Sequence, residues 1–363
     1  MTPAPRSLTS GIPPATIAAT FAIGAAGGAV GVALRLPLGM LLGALIAVAI
    51  AAVLRLRVAG APVAVPQGWR FVLIPVIGLA IGATFTPALL AQAPAWGWSL
   101  LALCLYVPTA HVLGYLIYAR IGGLERVTAF YSAIPGGLIE SVQMGDEAGA
   151  DAQMLTMLQF LRLILAIVLV PLGFSVIEGH AVGSAAGVRV AGAALGLSVA
   201  DAVWLTLAGG GGWWLAQRLR FPAPIITGPI IASAAVHMAG ITDGVPPDWL
   251  IQMTQWVVGT SLGARFAGLT GRRLGQAMGL AGLYTAMALG LALGAALALG
   301  GRTGEPAAAV FLAFAPGGVA EMTLVALSLQ VSVVYVTLHH ILRIVLAIAV
   351  ARIAGPRLVR PPH

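Results

Sequence analysis

The 363-residue chain is 60% hydrophobic and only 8% charged, against roughly 25% charged residues in ordinary soluble domains. Water is thereby excluded as its only solvent. All 19 basic residues are Arg, dispersed through short loops, so the formal charge of +8 does not describe a nucleic-acid-binding surface, and the single Cys104 excludes a disulfide framework or a cysteine-based metal cage.

Residues 1–16 carry Ser, Thr, Pro and Arg6 without a cleavage-site pattern, so they read as a cytoplasmic tail and the next apolar stretch as a retained helix. Apolar stretches of roughly 18 residues can cross about 30 Å of hydrocarbon. The pattern predicts ten of them: 17–33, 38–54, 70–91, 97–119 and 153–174, then 201–217, 223–240, 248–269, 277–300 and 331–352. The break at Leu34-Arg35-Leu36-Pro37 suits a tight helical hairpin. Residues 175–199, rich in Gly, Ala and Val, read as a connector between a first membrane repeat, 17–174, and a second, 200–353, with 354–363 a cytoplasmic tail.

Self-comparison supports two halves. Leu34-Arg35-Leu36-Pro37 leading to Gly43 matches Leu219-Arg220-Phe221-Pro222 leading to Gly228. The helix with Gly78, Gly82 and Phe85 matches the one with Gly259, Gly263 and Phe266. Pro135-Gly136-Gly137 with Glu140 and then Arg162 matches Pro316-Gly317-Gly318 with Glu321 and then Arg343, with 22 residues from Glu to Arg both times. The matches are colinear at offsets of 181 to 185. Five crossings per half would insert the halves in opposite directions. With a cytoplasmic amino terminus, fourteen loop arginines then fall on the cytoplasmic side and three opposite, as positive-inside sorting requires. The expected fold is all-α and polytopic, two inverted five-helix repeats in a bacterial inner membrane with both termini cytoplasmic.

In each half a broken apolar stretch precedes the last helix. Pro135 and Pro316 lack amide hydrogens, and Gly136, Gly137, Gly317 and Gly318 tolerate positive φ, so re-entrant or discontinuous helices are expected there. Half-helices starting after the glycines would present free amides suited to an anion. Arg162 and Arg343 lie in apolar helices and need partners. Pairing with Glu140 and Glu321 would hold the breaks in place; alternatively the carboxylates carry a coupling proton or cation and an Arg meets an anionic substrate. Thr337, matched by Thr156, suits either a cavity or helix packing. His340 replaces Gln159 of the first half and is either protonatable or a packing residue, while His339 points elsewhere on its helix. Asp146, Glu147 and Asp151 read as a solvated loop cluster and Asp201 as a helix cap. The paired glycines argue close helix packing.

The doubled Pro-Gly-Gly-x-x-Glu with its following Arg, the Gly-Ala-x-Phe helices and the Leu-Arg-x-Pro elements resemble the membrane AbrB duplication family from about residue 15 to 355. The resemblance implies a bacterial inner-membrane protein; members are commonly labelled regulators of gene expression, and some ammonia monooxygenases. The soluble DNA-binding protein of the same name is a small swapped β-barrel, and no such domain is present here. The six histidines are scattered and form no ligand set for an oxygenase metal, so an enzyme, a metal and a cofactor are not expected. The sequence reading favours a secondary transporter or exporter of a small solute, anionic if the arginines bind it. Protons or a cation would couple it, the lipid bilayer would surround it, and a homo-oligomer is compatible. The alternative is a membrane regulator that affects expression indirectly.

Overall fold

The computed structural model describes residues 11–66, 68–180, 182, 197–268 and 271–359. The first ten residues of the expected amino-terminal tail, most of the expected connector and residues 360–363 lie outside them. In chain order the elements are α1 (Pro14–Ala33), α2 (Gly39–Val53), a minimal antiparallel hairpin of β1 (Arg57–Val58) and β2 (Ala61–Pro62), α3 (Trp69–Gly82), α4 (Pro87–Leu90), α5 (Gly97–Leu116), α6 (Arg126–Ser132), α7 (Leu138–Glu147) and α8 (Ala152–Glu178). There follow α9 (Val199–Arg218), α10 (Pro224–Met238), α11 (Asp248–Ala264), α12 (Arg272–Leu299), α13 (Ala307–Phe314), α14 (Val319–Ser328) and α15 (Val333–Val359).

The Leu-Arg-x-Pro hairpins use one backbone twice. Arg35 and Arg220 have φ of 52° and 54°, and Leu38 and Ala223 have 46° and 47°. Leu36 N–H donates to Gly31 O and Phe221 N–H to Ala216 O, both at 2.8 Å, closing the preceding helix before proline forbids its continuation. Asp201 caps as expected, in a reciprocal box with Ser198 at the start of α9.

Helix lengths differ from expectation. The stretch 70–91 is cut at Gly82, because Pro87 bars helical geometry at Thr86, which is extended and caps α4 instead. The stretch 248–269 ends as helix at Ala264. The stretch 97–119 is longer, with a 3₁₀ turn from Ala93 before α5 and a π turn to Ile121 after it. Both α8 and α15 outrun the repeat boundaries expected at 174 and 353. Among the described residues five helical segments are long and apolar enough to cross a membrane: Pro14–Ala33, Ala93–Ile121, Ala152–Glu178, Arg272–Leu299 and Val333–Pro356. By contrast α2, α3 and α10 have 15, 14 and 15 residues, which at 1.5 Å per residue reach only about 21–23 Å.

The chain folds as two compact units, each drawing on both halves of the sequence: residues 1–84 with 171–270, and residues 85–170 with 271–363. In the first unit α1 packs on α2, α9 on α10, α2 on α11, α10 on α3, α1 on α11 and α9 on α3. Exchanging the halves leaves this set of pairs unchanged. The expected glycine contacts hold, for Gly78 and Gly82 face the α10 backbone and Gly259 and Gly263 that of α2, with no room for a side chain at Gly82, Gly259 or Gly263. The outward surface is apolar: Leu105 is 73% exposed and Leu297 74%. Trp69, Trp98 and Trp249 stand exposed at helix starts. An exposed apolar surface edged by tryptophan is that of a protein solvated by lipid.

Candidate functional site

All the singled-out site residues fall in the second unit. There α6 and α13 stop inside the packed helices, and α7 and α14 restart after the glycines. A helix end leaves carbonyl oxygens without intrahelical donors, and in a water-poor interior each unsatisfied one costs several kcal/mol. The last helix of each half supplies the donors. From α8, Gln159 Nε2 lies 3.0 Å from Tyr131 O, 3.0 Å from Ser132 O and 3.2 Å from Ile134 O, and Arg162 Nη1 donates to Ile134 O at 2.6 Å. From α15, His340 Nε2 meets Leu312 O at 2.9 Å, and Arg343 donates to Ala315 O and, at 2.8 Å, to Gly317 O. Both arginines therefore place their charge at the negative end of a broken helix. Arg162 donates to one backbone carbonyl, and Arg343 to two and to the His340 ring.

His340 bridges Arg343 and the Leu312 carbonyl. Its Nδ1 accepts from Arg343 Nη2 at 3.1 Å while Nε2 faces the carbonyl of Leu312, an arrangement that suits the neutral ring carrying its proton on Nε2. Thr337 meets Thr323 of α14 at 3.3 Å, and Thr323 donates to Val319 O at 2.6 Å, so Thr337 ties α15 to α14.

The two breaks differ at the restart. Gly137 uses positive φ, 62°, but Gly318 is extended at −79°, 150°. Its glycine answers to a different need, for a Cβ there would collide with the Glu321 carboxylate. Glu140 and Glu321 sit in the first turns of α7 and α14 and fold back toward those glycines, where the helix dipole favours a negative charge.

Sequence reasoning missed the tyrosines that join the breaks. Tyr284 of α12 donates to Ala133 O at 3.3 Å, and Tyr106 of α5 donates to Ala288 O at 3.3 Å and meets the Phe314 ring edge-on at 5.2 Å. Arg162 stands 5.8 Å from the Tyr284 ring. Arg162 and Arg343 each retain a buried Nε–H without a hydrogen-bond partner, and the side-chain oxygens of Ser132, Gln159 and Thr285 likewise have none. The acidic cluster contributes at the surface: Asp151 accepts from Met154 N at 3.0 Å and pairs with Arg273 at 3.6 Å, both side chains well exposed. Among the described residues no three His, Cys, Asp or Glu groups converge as a metal site.

A helical chain with lipid-type surfaces and buried charges at paired helix breaks is an integral membrane protein. It matches the family described as "Transition state regulatory protein AbrB" over residues 48–359 and belongs to that family. It is also 28% identical over 263 residues to "Uncharacterized protein YhjN" of Bacillus subtilis (strain 168), covering 68% of this chain and 67% of the relative.

Proposed function

We propose that the protein is a secondary transporter or exporter of a small anionic solute, coupled to protons or a cation, and not an enzyme. The observation that carries this reading is the pair of broken helices held by Arg162 and Arg343. Two buried guanidiniums with unused Nε–H donors form a positive centre for a solute anion. Glu140 and Glu321, half-exposed at the helix restarts, supply groups that can take up and release a coupling ion. The exchange symmetry of helix pairs in the first unit and the duplicated hairpin backbone support ten crossings in two inverted repeats, the shorter helices included. Fourteen arginines on the side assigned to the cytoplasm against three opposite support cytoplasmic termini in a bacterial inner membrane.

The test is flux of a panel of small organic anions in proteoliposomes, with and without a proton gradient. Gradient-driven flux that is lost in Glu140→Gln and Glu321→Gln, with insertion intact, supports the reading; undiminished flux in both variants overturns it. The second reading, a membrane regulator acting indirectly on expression, predicts no flux across the panel and capture of a cytoplasmic partner by the short loops.

A further inference from the structure

The first break holds a polar atom that its own packing does not use. Every carbonyl from Phe130 to Ile134 is met by a side chain. His111 Nε2 of α5 lies 3.1 Å from Phe130 O, and Tyr284 of α12 donates to Ala133 O. The Gln159 amide nitrogen of α8 meets Tyr131 O, Ser132 O and Ile134 O, and Arg162 donates to Ile134 O as well. These contacts fix which way the Gln159 amide faces. Its nitrogen carries two protons, and a flipped amide would set Oε1 against carbonyl lone pairs. Oε1 is therefore the corner of the amide turned to no carbonyl, yet the residue is 0% exposed and Oε1 meets no donor. A buried acceptor left unused carries a desolvation cost.

Capping the break does not require that atom. At the matching position of the second half His340 meets a freed carbonyl with Nε2, and its other ring nitrogen accepts from Arg343 at 3.1 Å. The histidine leaves no acceptor over; the glutamine leaves one. Arg162 follows Gln159 by three residues and so lies on the same face of α8, and it keeps a buried Nε–H without an acceptor. Both side chains reach the Ile134 carbonyl, so a free acceptor and a cation with a free donor are held beside one oxygen atom. Ser132, whose carbonyl takes the amide, also leaves its hydroxyl without a partner.

An anion with no donor of its own answers half of this pair. Its oxygens can take the Arg162 proton, but against Oε1 they set lone pair to lone pair. A solute with a donor close to its anionic group answers both. An ammonium donor would place a second positive charge beside the guanidinium, so a neutral hydroxyl is the better match.

We infer that Gln159 selects the solute, and that the site takes a small hydroxy acid whose hydroxyl stands next to its carboxylate. Gln159 Oε1 accepts from the hydroxyl and Arg162 holds the carboxylate. The inference rests on the transport reading for its anion, but the selectivity is measurable without flux.

The experiment is calorimetric titration of the purified full chain with propionate and with racemic lactate, which differ by one hydroxyl. Lactate is expected to bind ~10-fold or more tightly, because only lactate pairs the buried acceptor. Gln159→His installs the arrangement of the second half, with Nε2 on the carbonyls and Nδ1 open to Arg162, and is expected to bring the two acids to about equal affinity with the unfolding midpoint retained. The native ratio is read whether or not that variant folds. Equal affinities in the native chain, the result if water alone fills the gap, overturn the inference. So do an undiminished preference in folded Gln159→His and an absence of binding by both acids. Preference for lactate without flux in proteoliposomes upholds the selection and overturns the transport reading; gradient-driven flux of both acids at equal affinity does the reverse.

Discussion

The unequal wiring of the two breaks can be read out by conservative substitution. Arg343 donates to the carbonyls of Ala315 and Gly317 and to His340 Nδ1, three acceptors spread across one planar fork. A lysine keeps the charge but reaches one carbonyl, so Arg343→Lys strands a second carbonyl and the imidazole nitrogen. At about 1.5–3 kcal/mol for each bond to a charged group the loss is about 3–6 kcal/mol. Arg162 has one resolved carbonyl acceptor, and Gln159 covers the same break, so Arg162→Lys is expected to cost less than about 2 kcal/mol. Thermal unfolding of the two variants in one detergent should differ by about 2 °C or more, taking about 2–4 °C per kcal/mol. Equal shifts, or a larger one for Arg162→Lys, would refute the view that the arginines act as forks holding the break carbonyls.

The other expectations are local. Gly228→Ala should destabilise by about 1–3 kcal/mol through overpacking, because its Cβ would come within 2.6 Å of the Gly212 carbonyl carbon. Gly210→Ala, where nothing lies within 4 Å, should stabilise by about 0.4–1 kcal/mol; unfolding midpoints check both. His340→Gln should keep the fold within about 1 kcal/mol, since an amide can also donate to Leu312 O and accept from Arg343, whereas His340→Ala should lower the midpoint well below it. Burial pushes the Glu305 carboxyl above its ordinary value of 4.5. A raised folded-state value means a contribution that is complete below pH 4.5 and is lost as pH rises through the folded value. Midpoints measured upward from pH 4.5 should therefore fall more steeply in the native protein than in Glu305→Gln.

The breaks, the Leu-Arg-x-Pro hairpins and the close-packing glycines were legible in the sequence because proline and glycine act on their own backbone, within a residue or two. Asp201 was legible for the same reason: a cap is a local contact. The ends of α3 and α11 were not, since an apolar run continues past Gly82 and Ala264 and only the turn at Thr86-Pro87 or beyond Arg265 closes it. The partners of Arg162 and Arg343 were also hidden. Charge suggested Glu140 and Glu321, but the carbonyls freed by a break are invisible to a reading that counts side chains. The Ser99–His339 contact joins residues 240 positions apart, and no periodicity on α15 reveals which histidine meets a serine of α5.

The backbone is the more predictable layer because local residue types dictate it. Matching hairpins, matching glycine seams and matching donors at the breaks recur wherever geometry demands them, and there Gln159 can stand for His340 because each delivers an N–H to freed carbonyls. Where geometry makes no demand, the halves have diverged. Met154 and Leu158 are buried where the other half has buried Tyr335 and His339, at lower desolvation cost. Function is therefore to be sought in the differences between the halves as much as in their shared Pro-Gly-Gly segments.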